Sequence, residues 1–121
     1  HVVRLDLSQR LKEAGFPQDG ECQWSRYRTW NDKTCTPSDV DVPLWQRSED
    51  AVTLCAAPLA TELLDWLDRQ GWNRVGVETV GGRESSWYAE VDDGARTHGI
   101  TNSRPQDALA LVVIEVMGGK V

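Results

Sequence analysis

Between Pro105 and Met117 only Gln106, Asp107 and Glu115 interrupt a run of apolar side chains, and no other stretch constrains the fold as strongly. The spacing predicts a helix, and Gly118-Gly119 predicts where it stops. A helix on a protein surface carries a wide polar face. This one lacks that face, so two of its sides have to be covered, one by a sheet and the other by a second helix or a partner chain. Ser103, three residues before Gln106, predicts a capping box at its start.

The preceding sequence supplies the sheet. Arg74 to Val80, Ser86 to Val91 and Ala95 to Thr101 read as strands, turned by Gly81-Gly82 and by Asp92-Asp93-Gly94. Before them Pro58 starts a helix whose apolar stripe, Leu59, Leu63, Trp66 and Leu67, lies opposite Glu62, Asp65 and Arg69, and Gly71 ends it. Residues 56–119 are thus expected to form an α-β-β-β-α unit.

Residues 21–55 read as a strand and a long polar loop. From Glu21 to Trp30 the residues alternate, with Trp24, Arg26, Arg28 and Trp30 on one face and Gln23, Ser25, Tyr27 and Thr29 on the other. Lys33 to Asp50, rich in Pro, Ser, Thr and Asp, is expected to be an irregular excursion with a short strand at Val42 to Trp45, and so a candidate functional loop. Ala51 to Cys55 reads as a buried strand. At the N-terminus Asp6 and Gln9 make a capping pair for a helix through Leu7, Leu11 and Ala14, which Gly15 and Pro17 stop. His1 in place of Met suggests a processed or artificial start, so no weight is placed on the first residues.

A chain of 121 residues fits a single domain, 1–121, with a core that needs no staples. The expected fold class is α+β: an antiparallel three- to four-stranded sheet packed on one face by two main helices, plus a short N-terminal helix. Leu59, Leu63, Trp66, Leu109, Val112, Val113 and Val116 are the expected packing residues. Cys22, Cys35 and Cys55 contain no CxxC pair and leave one thiol over under any disulfide scheme, which points to a reducing cytoplasm. No stretch is long and apolar enough to span a bilayer, so no membrane partner is expected. The 13 basic against 19 acidic residues, net charge −6, set this chain against nucleic-acid binding.

Catalytic and metal motifs are wanting. His98 has acidic neighbours in Glu90, Asp92 and Asp93, and a small hydrolase using His98 is the enzymatic alternative, but no HxxxH or His/Cys spacing accompanies it. Asp92-Asp93-Gly94 lacks the ligand series of a calcium loop. The glycines form no phosphate-binding pattern before a helix. Cys22 and Cys55 read as buried, inert thiols. No catalytic residue, metal or cofactor is assigned, and the chain is read as a non-enzyme. The candidate binding residues are Trp24, Arg26, Arg28 and Trp30, where arginine alternates with aromatics, together with Trp45 in the polar loop and Asp92 and Asp93 at the turn.

The blocks LSQRLKEAGFPQ (Leu7 to Gln18), CAAPLATELLDWL (Cys55 to Leu67), WYAEV (Trp87 to Val91) and SRPQDALA (Ser103 to Ala110) together resemble a family of small, functionally uncharacterised bacteriophage and prophage proteins. The resemblance implies an intracellular phage protein and no reaction. The order helix, three strands, helix is also similar to double-stranded-RNA-binding domains, and its end, from Ser86 onward, to HicB-type antitoxins. RNA binders of that kind open their last helix with a Lys-rich segment, and here that place holds Ser103, Arg104, Pro105, Gln106 and Asp107. The expected function is a non-catalytic, protein-binding inhibitor or adaptor of the phage type, acting in the host cytoplasm on transcription or nucleic-acid-based defence machinery. An antitoxin-like or RNA-binding-domain-like module is the alternative, and a homodimer through the 103–117 helix is a further expectation.

Overall fold

The computed structural model describes residues 2–46, 48–72 and 74–118, apart from the side chains at 31 and 83–85. Along these residues run α1 (Leu5–Ala14), β1 (Gln23–Asn31), β2 (Thr36–Leu44), β3 (Ala51–Ala56), α2 (Ala60–Arg69), β4 (Arg74–Val80), β5 (Arg83–Asp92), β6 (Thr97–Asn102) and α3 (Pro105–Val116). The class is α+β, as expected. The sheet is not single: β2-β1-β3 and β4-β5-β6 form two separate antiparallel sheets. Separation follows from the ties at the end of β3, where the Ala57 N–H donates to the Cys22 carbonyl at 2.9 Å and Leu59 bridges to Val2. Those ties hold β3 beside β1 before α2 begins.

α3 lies at the centre. Its residues Gln106 to Ile114 are all buried, by β5 and β6 on one side and by α1 and α2 on the other. The second cover that its sequence demands thus comes from within the chain, so the homodimer expected through 103–117 has no helix face to use. It also corrects the layering: α2 packs on α3, so the two main helices do not share one face of a sheet. Leu63, Leu109, Val112 and Val113 are fully buried as expected, with Leu59, Trp66 and Val116 partly so. Val3, Leu7, Leu11 and Phe16 complete the core from the N-terminal side.

The residues before α1, to which the sequence alone gives no weight, are central. Val3 is fully buried; its N–H donates to the Pro58 carbonyl (2.9 Å), and its carbonyl accepts from Trp24 Nε1 (2.9 Å) and Ser8 Oγ (3.1 Å). One residue thereby joins the entry to α2, the base of β1 and the start of α1. His1 and Gly119 lie outside the described residues.

Neither expected capping box forms. The residue before α3 is Arg104, while Ser103 Oγ turns to Asn102 Oδ1 at 3.4 Å. Asp107, fully buried in the first turn, accepts the Arg4 N–H at 3.0 Å, and Arg104 Nη1 stands 3.4 Å from its other oxygen. A carboxylate there also meets the positive end of the helix. α1 likewise has Arg4 at its cap, with Asp6 paired to the Arg4 guanidinium instead of closing the helix. The helix stops do hold: Gly15 takes φ +100°, and the Phe16 N–H reaches back to the Leu11 carbonyl at 2.9 Å.

The largest departure concerns 33–50, where β2 pairs with β1 over the full run from Gln23↔Leu44 to Asn31↔Thr36. Pro37 and Pro43 argue against a strand in a sheet interior, but β2 is an edge strand, where a missing N–H costs nothing in the ladder. Removing a buried acceptor strands its donors. Asp107→Ala is therefore expected to lower the stability measured by urea unfolding by about 2–3 kcal/mol, while Asp107→Asn, which keeps an acceptor for the Arg4 N–H, costs less.

Candidate functional site

The β1–β2 hairpin is the part of the molecule least engaged with the core. β3 pairs with β1 only from Gln23 to Tyr27, so the distal strand residues beyond that point have no third strand beside them. Nine-residue strands reach about 30 Å, and the outer part stands in solvent: Arg28, Thr29, Trp30, Thr36, Pro37, Asp39 and Val40 are all exposed.

Register decides what each face shows. On one face Trp24 lies opposite Pro43, Arg26 opposite Asp41, Arg28 opposite Asp39 and Trp30 opposite Pro37. Arg26 grips Asp41 with two hydrogen bonds, Nε to Oδ1 at 2.7 Å and Nη2 to Oδ2 at 3.1 Å, and Arg28 stands 3.8 Å from Asp39. The hydrogen bond from Arg26 holds the Asp41 carboxyl below the usual carboxylate range. On the other face run Ser25 with Val42, Tyr27 with Val40 and Thr29 with Ser38. Residues Asp32, Lys33, Thr34 and Cys35 make the turn; Cys35 is exposed and takes φ +52°, a conformation rare for residues other than glycine.

The candidate residues separate along this arm. Trp24 belongs to the base, partly buried with its indole N–H on Val3, whereas Trp30 is 62% exposed. Trp45, 56% exposed just past β2, borders a cavity of about 300 Å³ with Gln23, Ser25, Leu44 and Thr53. Val40 is also exposed, and so is Val52, which corrects the expectation of a buried strand at Ala51 to Cys55: β3 is an edge strand, and only its end, Cys55 and Ala56, is buried. Asp92 and Asp93 lie in the other sheet, at the β5–β6 turn, where their carboxylates accept backbone N–H groups: Asp92 from Gly94, Asp93 from Ala95 and Arg96. Those bonds, with that from Arg96 first, keep the Asp93 carboxyl below its usual range.

His98 does meet a carboxylate, with Nδ1 3.0 Å from Glu115 Oε1, and its ring sits edge-on to Trp72 at 5.4 Å. Arg96 covers the Trp72 ring at 5.8 Å. The group bridges β6 and α3, and among the described residues no serine or cysteine hydrogen-bonds the imidazole. Cys22 and Cys55 are buried, which raises both thiols. No cluster of three or more metal-ligating side chains occurs among the described residues.

A second concave surface lies on the outer face of β4 and β5, a groove of about 540 Å³ bordered by Arg74, Gly76, Glu78, Tyr88, Glu90 and Asp92. Tyr88 lies across Gly99, whose missing side chain makes room for the ring. Partial burial, then Glu90, push the Tyr88 phenol up.

No family model, curated protein or solved structure matches this chain. No described helix is long and apolar enough to cross a membrane.

Because Asp41 is lowered by a folded-state partner, its contribution to stability is present above its unfolded pKa and fades as pH falls through the folded value. Carboxyl NMR titration is expected to show Asp41 below the ordinary range in the native protein and back within it in Arg26→Gln.

Proposed function

We propose that this protein is a non-catalytic protein-binding module, an adaptor or inhibitor of the phage type, and that the β1–β2 hairpin is its contact element. The observation that carries the reading is the hairpin's outer half, which leaves the core with both faces in solvent and holds Trp30 near its exposed end, with Val40 exposed where that half begins, opposite Tyr27. Exposed aromatics on a rigid support are the residues that dominate protein–protein binding energies. Nearer the base Val52, opposite Arg26, is exposed on the Trp30 face, and Trp45 is exposed beside Ser25 and Thr53 on the other.

Charge pairing favours a protein partner over a nucleic acid. An arginine gripping phosphate releases counterions only if its charge is available, and Arg26 and Arg28 already face Asp41 and Asp39. At the start of α3 the comparison with RNA-binding domains runs into the same difficulty, since Arg104 is engaged by Asp107 and by the Val2 carbonyl. A net charge of −6 suits a basic host target such as a nucleic-acid enzyme, approached in the host cytoplasm.

Immobilised protein, exposed to host lysate, is expected to capture a saturable protein partner. Trp30→Ala combined with Trp45→Ala is expected to weaken that capture at least ten-fold, roughly the effect of losing one hot-spot side chain, with the circular dichroism and melting temperature unchanged. Absence of any saturable partner, together with tight RNA or DNA binding in a gel shift, would sink the reading and promote the nucleic-acid one.

A further inference from the structure

The edges of the two sheets are not equally protected. An exposed edge is a row of unpaired amides ready to accept another strand, and proteins blunt it with proline, charge or a covering side chain. β2 carries Pro37 and Pro43 with Asp39 and Asp41 between them. On β3, Lys12 Nζ takes the Leu54 carbonyl at 2.9 Å, and Gln18 Oε1 takes the Ala56 N–H at 2.8 Å. β4 has neither proline nor a covering side chain, and its two charges, Arg74 and Glu78, are of opposite sign. It is seven residues long and free of proline, and its single irregularity falls at its end, between Thr79 and Val80. Among the described residues no group outside β5 hydrogen-bonds its backbone.

The side chains of β4 form a pattern that complements itself. Arg74, Gly76 and Glu78 point outward and are exposed, while Val75 and Val77 point toward the core and are only partly buried. An antiparallel pairing of two copies about Gly76 sets Arg74 opposite Glu78 and Glu78 opposite Arg74 on the outer face. On the inner face it sets Val75 against Val77 and Val77 against Val75. Directly opposed side chains of this kind interact, and opposite charges favour the register. Shifting the centre to Val75 or Val77 loses both ion pairs. Gly76 meets itself at the two-fold axis, where its open surroundings leave room for a neighbouring backbone.

From the unblunted edge and this palindrome of charge we propose that β4 is a homodimer interface, joining two chains into one six-stranded sheet, β6-β5-β4-β4-β5-β6, with both α3 helices on the same side. The two-fold axis relates one patch to itself, as a closed dimer requires. The same pairing covers the partly exposed Val75 and Val77, and brings the two outer grooves into line across the axis. It leaves the β1–β2 hairpin of each copy free.

Sedimentation velocity from micromolar to millimolar protein tests this. The native chain is expected to show a concentration-dependent monomer–dimer equilibrium. Arg74→Glu alone, or Glu78→Arg alone, opposes like charges at both ion pairs and is expected to weaken the dimer roughly ten-fold or more. An equimolar mixture of the two single variants is expected to restore association, because each then presents the charge that the other needs. Both positions are exposed, so the fold should survive, which circular dichroism confirms or denies. A monomer at every concentration overturns the proposal and leaves the edge to solvent or to an extended segment of another protein. So does a dimer indifferent to both substitutions, or a mixture that fails to restore it.

Discussion

Every layer of this fold is set by a helix with no polar side. Gln106 to Ile114 are buried all round, so α3 has to be enclosed before any other element finds a stable place. Burial of apolar area is the largest favourable term in folding and has no direction of its own. Direction comes from the polar groups at the end of the helix. Asp107 fixes the chain at Arg4, and the adjoining backbone N–H and carbonyl of Val3 fix α2, β1 and α1 relative to one another. A short run of backbone converts a non-specific apolar helix into one arrangement.

That economy of core explains why the hairpin stands away from it. The apolar residues of α1, α2, β5 and β6 already enclose α3, and the first sheet adds a small satellite cluster around Val2, Cys22 and Ala57, with Trp24 and Leu59 against it. Beyond Tyr27 the strands have nothing to bury against. They persist because the two strands pair with each other throughout, and because the charges on one face are matched rung by rung across the ladder. Stability of the arm is thus local, while that of the rest is global.

How much of this could be read beforehand depends on which physics decides each element. Helix stops at Gly15 and Gly71, the Gly81-Gly82 turn and the alternation of β1 are local matters, and the residues announce them. β2 was obscured because proline is read as a breaker, and only tertiary position, the edge of a sheet, makes Pro37 and Pro43 acceptable. A signal was present even so: Asp39 and Asp41 recur at the same two-residue interval as Arg26 and Arg28. The weight carried by Val3 was invisible, since its partners are backbone groups and an indole N–H brought from distant segments. Trp24 and Trp30 look alike in sequence, and only the end point of β3 makes one an anchor and the other an exposed ring.

Pro37 and Pro43 share the parity of Asp39 and Asp41, so along the hairpin's free side the amide row is broken at both ends and flanked by carboxylates in the middle. Strand addition there is disfavoured, and the arm can project without seeding aggregation. Under the proposed function, recognition along that side is led by side chains instead of backbone. Single substitutions at positions such as Trp30 and Val40 can alter a surface of that kind while the ladder beneath them stays the same. The hairpin is a separable variable of the molecule, free to change its exposed side chains at little cost to the enclosed helix.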